Sequence, residues 1–128
     1  MADVSDLTDL RDRMRRFTDE RDWSRFHDPK SLLLALVGEV GELSELFQWL
    51  PAGSARELAQ DQPLRARVEE EIADVLLYLV RLADVLEIDL ADAAVRKNAA
   101  AARKHRPGSG PDDHRVPKSD GQERLSGK

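Results

Sequence analysis

Leu32-Leu33-Leu34-Ala35-Leu36-Val37-Gly38-Glu39-Val40-Gly41-Glu42-Leu43-Ser44-Glu45-Leu46-Phe47-Gln48-Trp49-Leu50 reads as one long helix that breaks its own pattern. At about 100° per residue, its apolar arc runs from Trp49 through Leu46, Leu32, Leu43, Leu36 and Phe47 to Leu33. Glu39 falls inside that arc, and Glu42 falls beside it, between Ala35 and Trp49. An amphipathic helix keeps its carboxylates on the opposite face. A carboxylate that is buried while ionised costs several kcal/mol unless it is paired or holds a metal. The stretch therefore predicts a helix whose acids meet a cation.

A second acidic pair repeats the spacing. Glu71 and Asp74 are three apart, as are Glu39 and Glu42, so each pair projects from neighbouring positions one turn apart. Asp74 lies within an apolar surface, near Tyr78 and Val85. A lone Glu-x-x-Glu is ordinarily a solvated helix face, and Glu42 with Glu45 shows how easily the spacing arises. Two pairs on two helices, both encroaching on apolar faces, are another matter. Glu39, Glu42, Glu71 and Asp74 turned towards one core form a cluster that cannot stay fully ionised without a counter-charge. Oxygen-only ligands select a hard cation, Mg²⁺ or Mn²⁺. Carboxylate-bound Mg²⁺ keeps waters and binds substrate phosphates, which points to phosphate-ester or anhydride chemistry. Gly38 and Gly41, each costing about 1 kcal/mol inside a helix, call for a reason: close approach of another backbone, room for a ligand, or helix–helix packing.

The flanking chain reads as helical throughout. Ser5 to Arg21 carries Leu7, Leu10, Met14 and Phe17 at helical spacing, with Ser5 as N-cap and Asp6 and Asp9 at the positive end. Asp28-Pro29 is a start signal for the central helix, and Pro51-Ala52-Gly53 is its stop. Ser54 to Gln62 is polar, a loop or a short helical turn. Asp61 and Pro63 open a helix over about Leu64 to Leu86, apolar nearly all round from Ile72 onward, which predicts packing on several sides. Asp89 caps a last helix that ends in Arg103-Lys104-His105-Arg106. Residues 107–128 have almost nothing to bury and are expected to form a disordered tail. The fold class is all-α, a four-helix-bundle type, with one domain over residues 1–106.

Composition narrows the function. With 128 residues the chain holds one ordinary core. A net charge of −5 leaves no broad basic surface for a nucleic-acid polymer. Without cysteine, thiolate metal sites and cysteine nucleophiles are excluded. The charged N-terminus is unlike a signal peptide, and no segment approaches the roughly 18 apolar residues of a membrane span, so a soluble cytoplasmic protein is expected.

The run Leu33 to Trp49, with Glu70-Glu71-Ile72-Ala73-Asp74-Val75-Leu76-Leu77-Tyr78-Leu79, closely resembles the MazG-like all-α nucleotide pyrophosphohydrolases. Its Phe-Gln-Trp extension, together with Glu20-Arg21-Asp22-Trp23 and Phe26-His27, is most similar to the dCTP pyrophosphatase branch. The resemblance covers about residues 5–106. It implies Mg²⁺-dependent hydrolysis of a nucleoside triphosphate, dCTP or a modified dCTP, to the monophosphate and pyrophosphate. Glu39, Glu42, Glu71 and Asp74 match the family's metal-binding acids, with Glu45 near the site. Trp23 and Trp49 match aromatics that enclose the base, Tyr78 a residue near the sugar and base, and Lys97 a phosphate contact. The family also implies a homodimer or homotetramer. Two positions depart from the branch: Met14 stands where a histidine faces the base, and Ala101 stands where an asparagine follows the lysine. The same chemistry on dUTP or another non-standard nucleotide is the nearest alternative, and a non-catalytic metal-binding helical module the next.

Overall fold

The computed structural model describes residues 6–108, and every regular element among them is helical. Five α-helices follow in order: α1 (Leu7–Glu20), α2 (Pro29–Phe47), α3 (Ala55–Leu58), α4 (Leu64–Val85) and α5 (Leu90–Lys104), with a 3₁₀ turn at Ser24–Phe26. No described helix is long and apolar enough to cross a membrane. The chain divides into two compact units, residues 1–93 and 94–128. The expected tail falls almost wholly on residues outside the described range.

Local chemistry accounts for the ends. Asp6 caps α1 by accepting the Asp9 N–H at 2.8 Å; the expected cap, Ser5, lies outside the described residues. Asp28 caps α2 through the Ser31 N–H at 2.9 Å and hydroxyl, with Pro29 at the first helical position. At α4 the N-cap is Pro63, which has no capping side chain, and the preceding Gln62 accepts the Ala66 N–H on its Oε1 at 3.2 Å. Asp89 accepts the Asp92 N–H at the start of α5.

Two helices close through a non-glycine residue in the left-handed conformation. After α1, Asp22 takes the left-handed conformation at φ 53°, the Asp22 N–H reaches Asp19 O and the Trp23 N–H reaches Thr18 O. After α4, Glu87 does the same at φ 57°, with Glu87 N–H on Asp84 O and Ile88 N–H on Ala83 O. Both are Schellman closures, which satisfy the last carbonyls and set the direction of the exit. The central helix stops at Phe47, three residues earlier than expected, so Gln48, Trp49 and Leu50 form a turn ahead of Pro51.

The first unit is built on α4. Helix α2 lies along it, and α1 packs against its C-terminal half. The buried apolar side chains are few: Leu32 on α2 and Val68, Val80 and Ala83 on α4. On α1 the seam runs through Leu7, Leu10 and Met14 to Thr18, which is buried in place of Phe17. The nearly all-apolar surface of α4 is not consumed within the chain, because Ile72, Leu76 and Leu79 remain exposed. Both ends of the arc assigned to α2, Leu33 and Trp49, are exposed as well.

With so thin a core, each buried side chain matters. Leu32 is 2% exposed, and Leu32→Ala should lower unfolding stability by about 2–4 kcal/mol, measured by urea denaturation.

Candidate metal centre

Helices α2 and α4 bring three of the four predicted acids together. Glu39, Glu42 and Glu71 each place a carboxylate oxygen within 4.8 Å of the others. Glu39 and Glu42 meet because they are one turn apart on α2, and Glu71 joins them from the facing helix α4. Glu42 lies at the exposed side, with Glu39 and Glu71 half-buried. Asp74, one turn on from Glu71, stands outside this group of three but adds its negative charge to both Glu39 and Glu71. Glu45 is on the exposed side of α2, as its helical position predicts.

The electrostatics follow from crowding. Desolvation, then the neighbouring Glu71 and Glu42 carboxylates, pushes Glu39 up to about 7. Glu71 is raised too, again by desolvation first, although a hydrogen bond from Glu39 opposes the rise. Both acids are thus held above the ordinary carboxylate range by burial and by the neighbouring carboxylates. The buried Oε2 atoms of Glu39 and Glu71 have no hydrogen-bond partner. Buried carboxylate oxygens without partners are costly, and an all-oxygen set of this kind suits a hard divalent cation. The residues present therefore fit such an ion, with Glu39, Glu42 and Glu71 able to hold it directly and Asp74 close enough to add charge.

The other predicted residues are distributed around the chain. Trp23 sits at the start of the 3₁₀ turn, half-exposed, with its ring edge-on to Phe17 at 5.5 Å between centroids and 74° between planes. The Arg21 guanidinium covers the Phe17 ring at 3.7 Å. Trp49 is 86% exposed in the turn after α2, so the helical face it was expected to share with Glu42 is interrupted there. Tyr78 is half-buried on α4, one turn beyond Asp74, and Met14 is half-buried on α1. Lys97 lies exposed on α5, in the second unit.

A profile described as the MazG nucleotide pyrophosphohydrolase domain matches residues 27–106, which include all four acids. The chain belongs to the MazG nucleotide pyrophosphohydrolase family. This MazG chain is 46% identical over 99 residues to dCTP pyrophosphatase 1 of Bos taurus, covering 77% of the chain and 59% of that protein. It is 50% identical over 91 residues to dCTP pyrophosphatase 1 of Rattus norvegicus, covering 71% of the chain and 54% of the relative. The chain thus spans little more than half the length of these curated relatives. A crystal structure of a pyrophosphatase from Archaeoglobus fulgidus superposes with a TM-score of 0.71 at 39% identity, covering 82% of this chain and 96% of that one.

One group escaped the sequence reading: Arg81, buried on α4 and bonded to Asp84, His27 and Ser24. An arginine inside an apolar helical run, with an aspartate three residues on, was its signal.

The raised Glu39 gives a signed pH dependence. Between its ordinary 4.5 and about 7, the folded state binds more protons than the unfolded state. Metal-free stability should therefore fall as pH rises through that window. Thermal melts in a chelator should show this fall, and Glu39→Gln should flatten that component.

Proposed function

We propose that this chain is a divalent-metal-dependent nucleoside triphosphate pyrophosphohydrolase, releasing the monophosphate and pyrophosphate. The observation that carries this reading is the convergence of Glu39, Glu42 and Glu71, with two buried oxygens lacking donors. The family of the chain and its similarity to dCTP pyrophosphatase 1 support the substrate class, with dCTP or a modified dCTP first and dUTP or another non-standard nucleotide second.

In this reading Glu39, Glu42 and Glu71 would hold Mg²⁺ directly, with Mn²⁺ as a substitute, and Asp74, the fourth predicted acid, would add its charge from the next turn of α4. A bound ion of this kind supplies Lewis acidity towards phosphate oxygens and counter-charge for the triphosphate. The chain's own part is positional. Facing helices set the carboxylate separation, and a cation held there would offset the desolvation that raises Glu39 and Glu71. Trp23 and Trp49 offer flat apolar faces to the base, Tyr78 packs near the sugar, and Lys97 contacts a phosphate. The exposure of Trp49 suits a ring whose partner is a ligand or a second subunit, since its own chain covers so little of it. Met14 offers no hydrogen bond comparable to a histidine's, so base selection rests more on shape and stacking here.

Incubation with a panel of deoxynucleoside triphosphates and Mg²⁺ should release pyrophosphate, with dCTP or a modified pyrimidine preferred. Orthophosphate alone, or metal binding without turnover, would sink the assignment. Glu71→Gln should abolish turnover while leaving the far-ultraviolet circular dichroism unchanged.

The same reading includes self-association as a dimer or tetramer. Leu33, Val37 and Val40 form an exposed i, i+4, i+7 stripe on α2, and Ile72, Leu76 and Leu79 form another on α4. Surfaces of this kind mark interaction sites. Beside Val37, a Cβ added to Gly38 or Gly41 would meet no described atom within 4 Å, so packing within the described chain does not account for these glycines. Light scattering should report an oligomer, and Leu76→Glu should shift it towards monomer.

A further inference from the structure

The segment 21–28, which joins α1 to α2 and carries Trp23, is tied down at both ends. On the α1 side, the Schellman closure through Asp22 fixes the Trp23 N–H on Thr18 O at 3.0 Å. On the α2 side, Asp28 is committed to Ser31. Between them the Phe26 N–H bonds Trp23 O at 2.9 Å and the His27 N–H bonds Ser24 O at 3.1 Å. The remaining tie comes from α4. Arg81, 6% exposed, donates Nε to His27 Nδ1 at 3.0 Å and Nη1 to Asp84 Oδ2 at 3.2 Å, and points Nη2 at Ser24 Oγ, 3.5 Å away.

Each partner in this network has a defined role. Asp84 is also gripped from α1 by Arg15, through Nε on Oδ2 at 3.1 Å and Nη2 on Oδ1. The hydrogen bond from Arg15 is the first cause holding the Asp84 carboxyl below its usual range, with the charges of Arg15 and Arg81 adding to it. Ser24 donates its hydroxyl to Asp19 Oδ1 at 2.8 Å, which leaves its oxygen to face the guanidinium. A guanidinium can only donate, so His27 Nδ1 accepts and its proton resides on Nε2. The charged groups of the network are Arg81 and Asp84 on α4, Arg15 and Asp19 on α1, and Asp28 at the cap of α2. Of these only Arg81 acts on the imidazole, and with burial as the larger cause it pushes His27 below its ordinary range.

We propose that Arg81 is a positioning residue for the Trp23–Phe26 segment, holding it through His27 and Ser24, and that protonation of His27 releases this hold. A protonated Nδ1 would oppose an N–H to an N–H and a cation to a cation. With the folded-state value lowered, the unfolded chain binds the proton first as pH falls. The stability contributed by the contact is therefore complete above about 6.5 and is lost progressively below it. The consequence for nucleotide binding rests on the reading that Trp23 contacts the base.

Two measurements test this. Acrylamide quenching of Trp23, read alone in a Trp49→Phe background, follows the segment without requiring activity. Quenching should increase between pH 7.5 and 5.5. It should already be increased at pH 7.5 by Arg81→Met and should stay flat with pH in His27→Gln, whose amide oxygen can accept from Arg81 but cannot titrate. His27→Gln also leaves the Arg81–Asp84 pair intact, so it carries the test if Arg81→Met does not fold. Steady-state kinetics with Trp49 present should show KM for the nucleotide raised about three- to tenfold by Arg81→Met, with kcat within about twofold of the parent. Trp23 quenching indifferent to both substitutions and to pH overturns the proposal. Quenching that moves while KM does not overturns the positioning role and the contact of Trp23 with the base, and leaves pyrophosphate release untouched. If the parent releases no pyrophosphate, the functional reading fails, and quenching alone decides whether Arg81 holds the segment.

Discussion

The carboxylates of Glu39 and Glu71 face each other across the seam between α2 and α4, and much of the molecule is set by what that contact requires. Two acids pressed together away from water cannot both ionise at little cost. One solution is a proton, and Glu39 near 7 shows how readily the site takes it. The other is a cation, which would satisfy both Oε2 atoms that now lack donors. The helix pair provides the rigidity: side chains one turn apart on α2 meet one from the middle of α4, so their separation depends on backbone packing and not on a loop.

A second set of buried charges in the same unit is resolved differently. Asp84 is enclosed by Arg15 and Arg81, and the remaining donors of Arg81 are turned on His27 and Ser24. Positive and negative groups are matched within the chain, so this network works as scaffold, coupling α1, α4 and the segment before α2. The acidic cluster contains no cation of its own among the described residues that contact it. One buried ionic group is closed and the other is short of positive charge, and that difference separates a structural network from a ligand site. Burial alone would have grouped the two together.

Hydrophobic burial is divided in a similar way. Among the described residues of the first unit four apolar side chains are well buried, while stripes on α2 and α4 stay exposed. At about 25 cal/mol per Å² of apolar surface removed from water, those stripes represent stabilisation that the single chain does not collect. The helices that build the acidic site are the same ones that display this surface, so whatever covers it would also brace the carboxylates. Trp49 belongs to this picture, a large aromatic in a turn with little of its own chain around it.

Much of this was legible along the chain because helices obey local rules. The all-α class, the helix starts at Asp28 and Asp89, and the intrusion of Glu39 and Glu42 into an apolar arc all depend on residues within a few turns of one another. The family follows from the same two acidic motifs. What the linear order could not supply concerns contacts between distant segments. It could not show that Glu71 closes on Glu39 and Glu42 while Asp74 stands outside the group, because the spacing of both pairs is identical and only the packing of α4 on α2 tells them apart. It did not foresee that α2 stops at Phe47, because a helix end depends on the turn that follows. It could not tell that Arg81 binds His27, 54 positions earlier, since an arginine three residues before an aspartate in an apolar run marks a buried pair without naming its partners on other elements. Periodicity determines which face of a helix is apolar, and packing determines which buried charges find a partner.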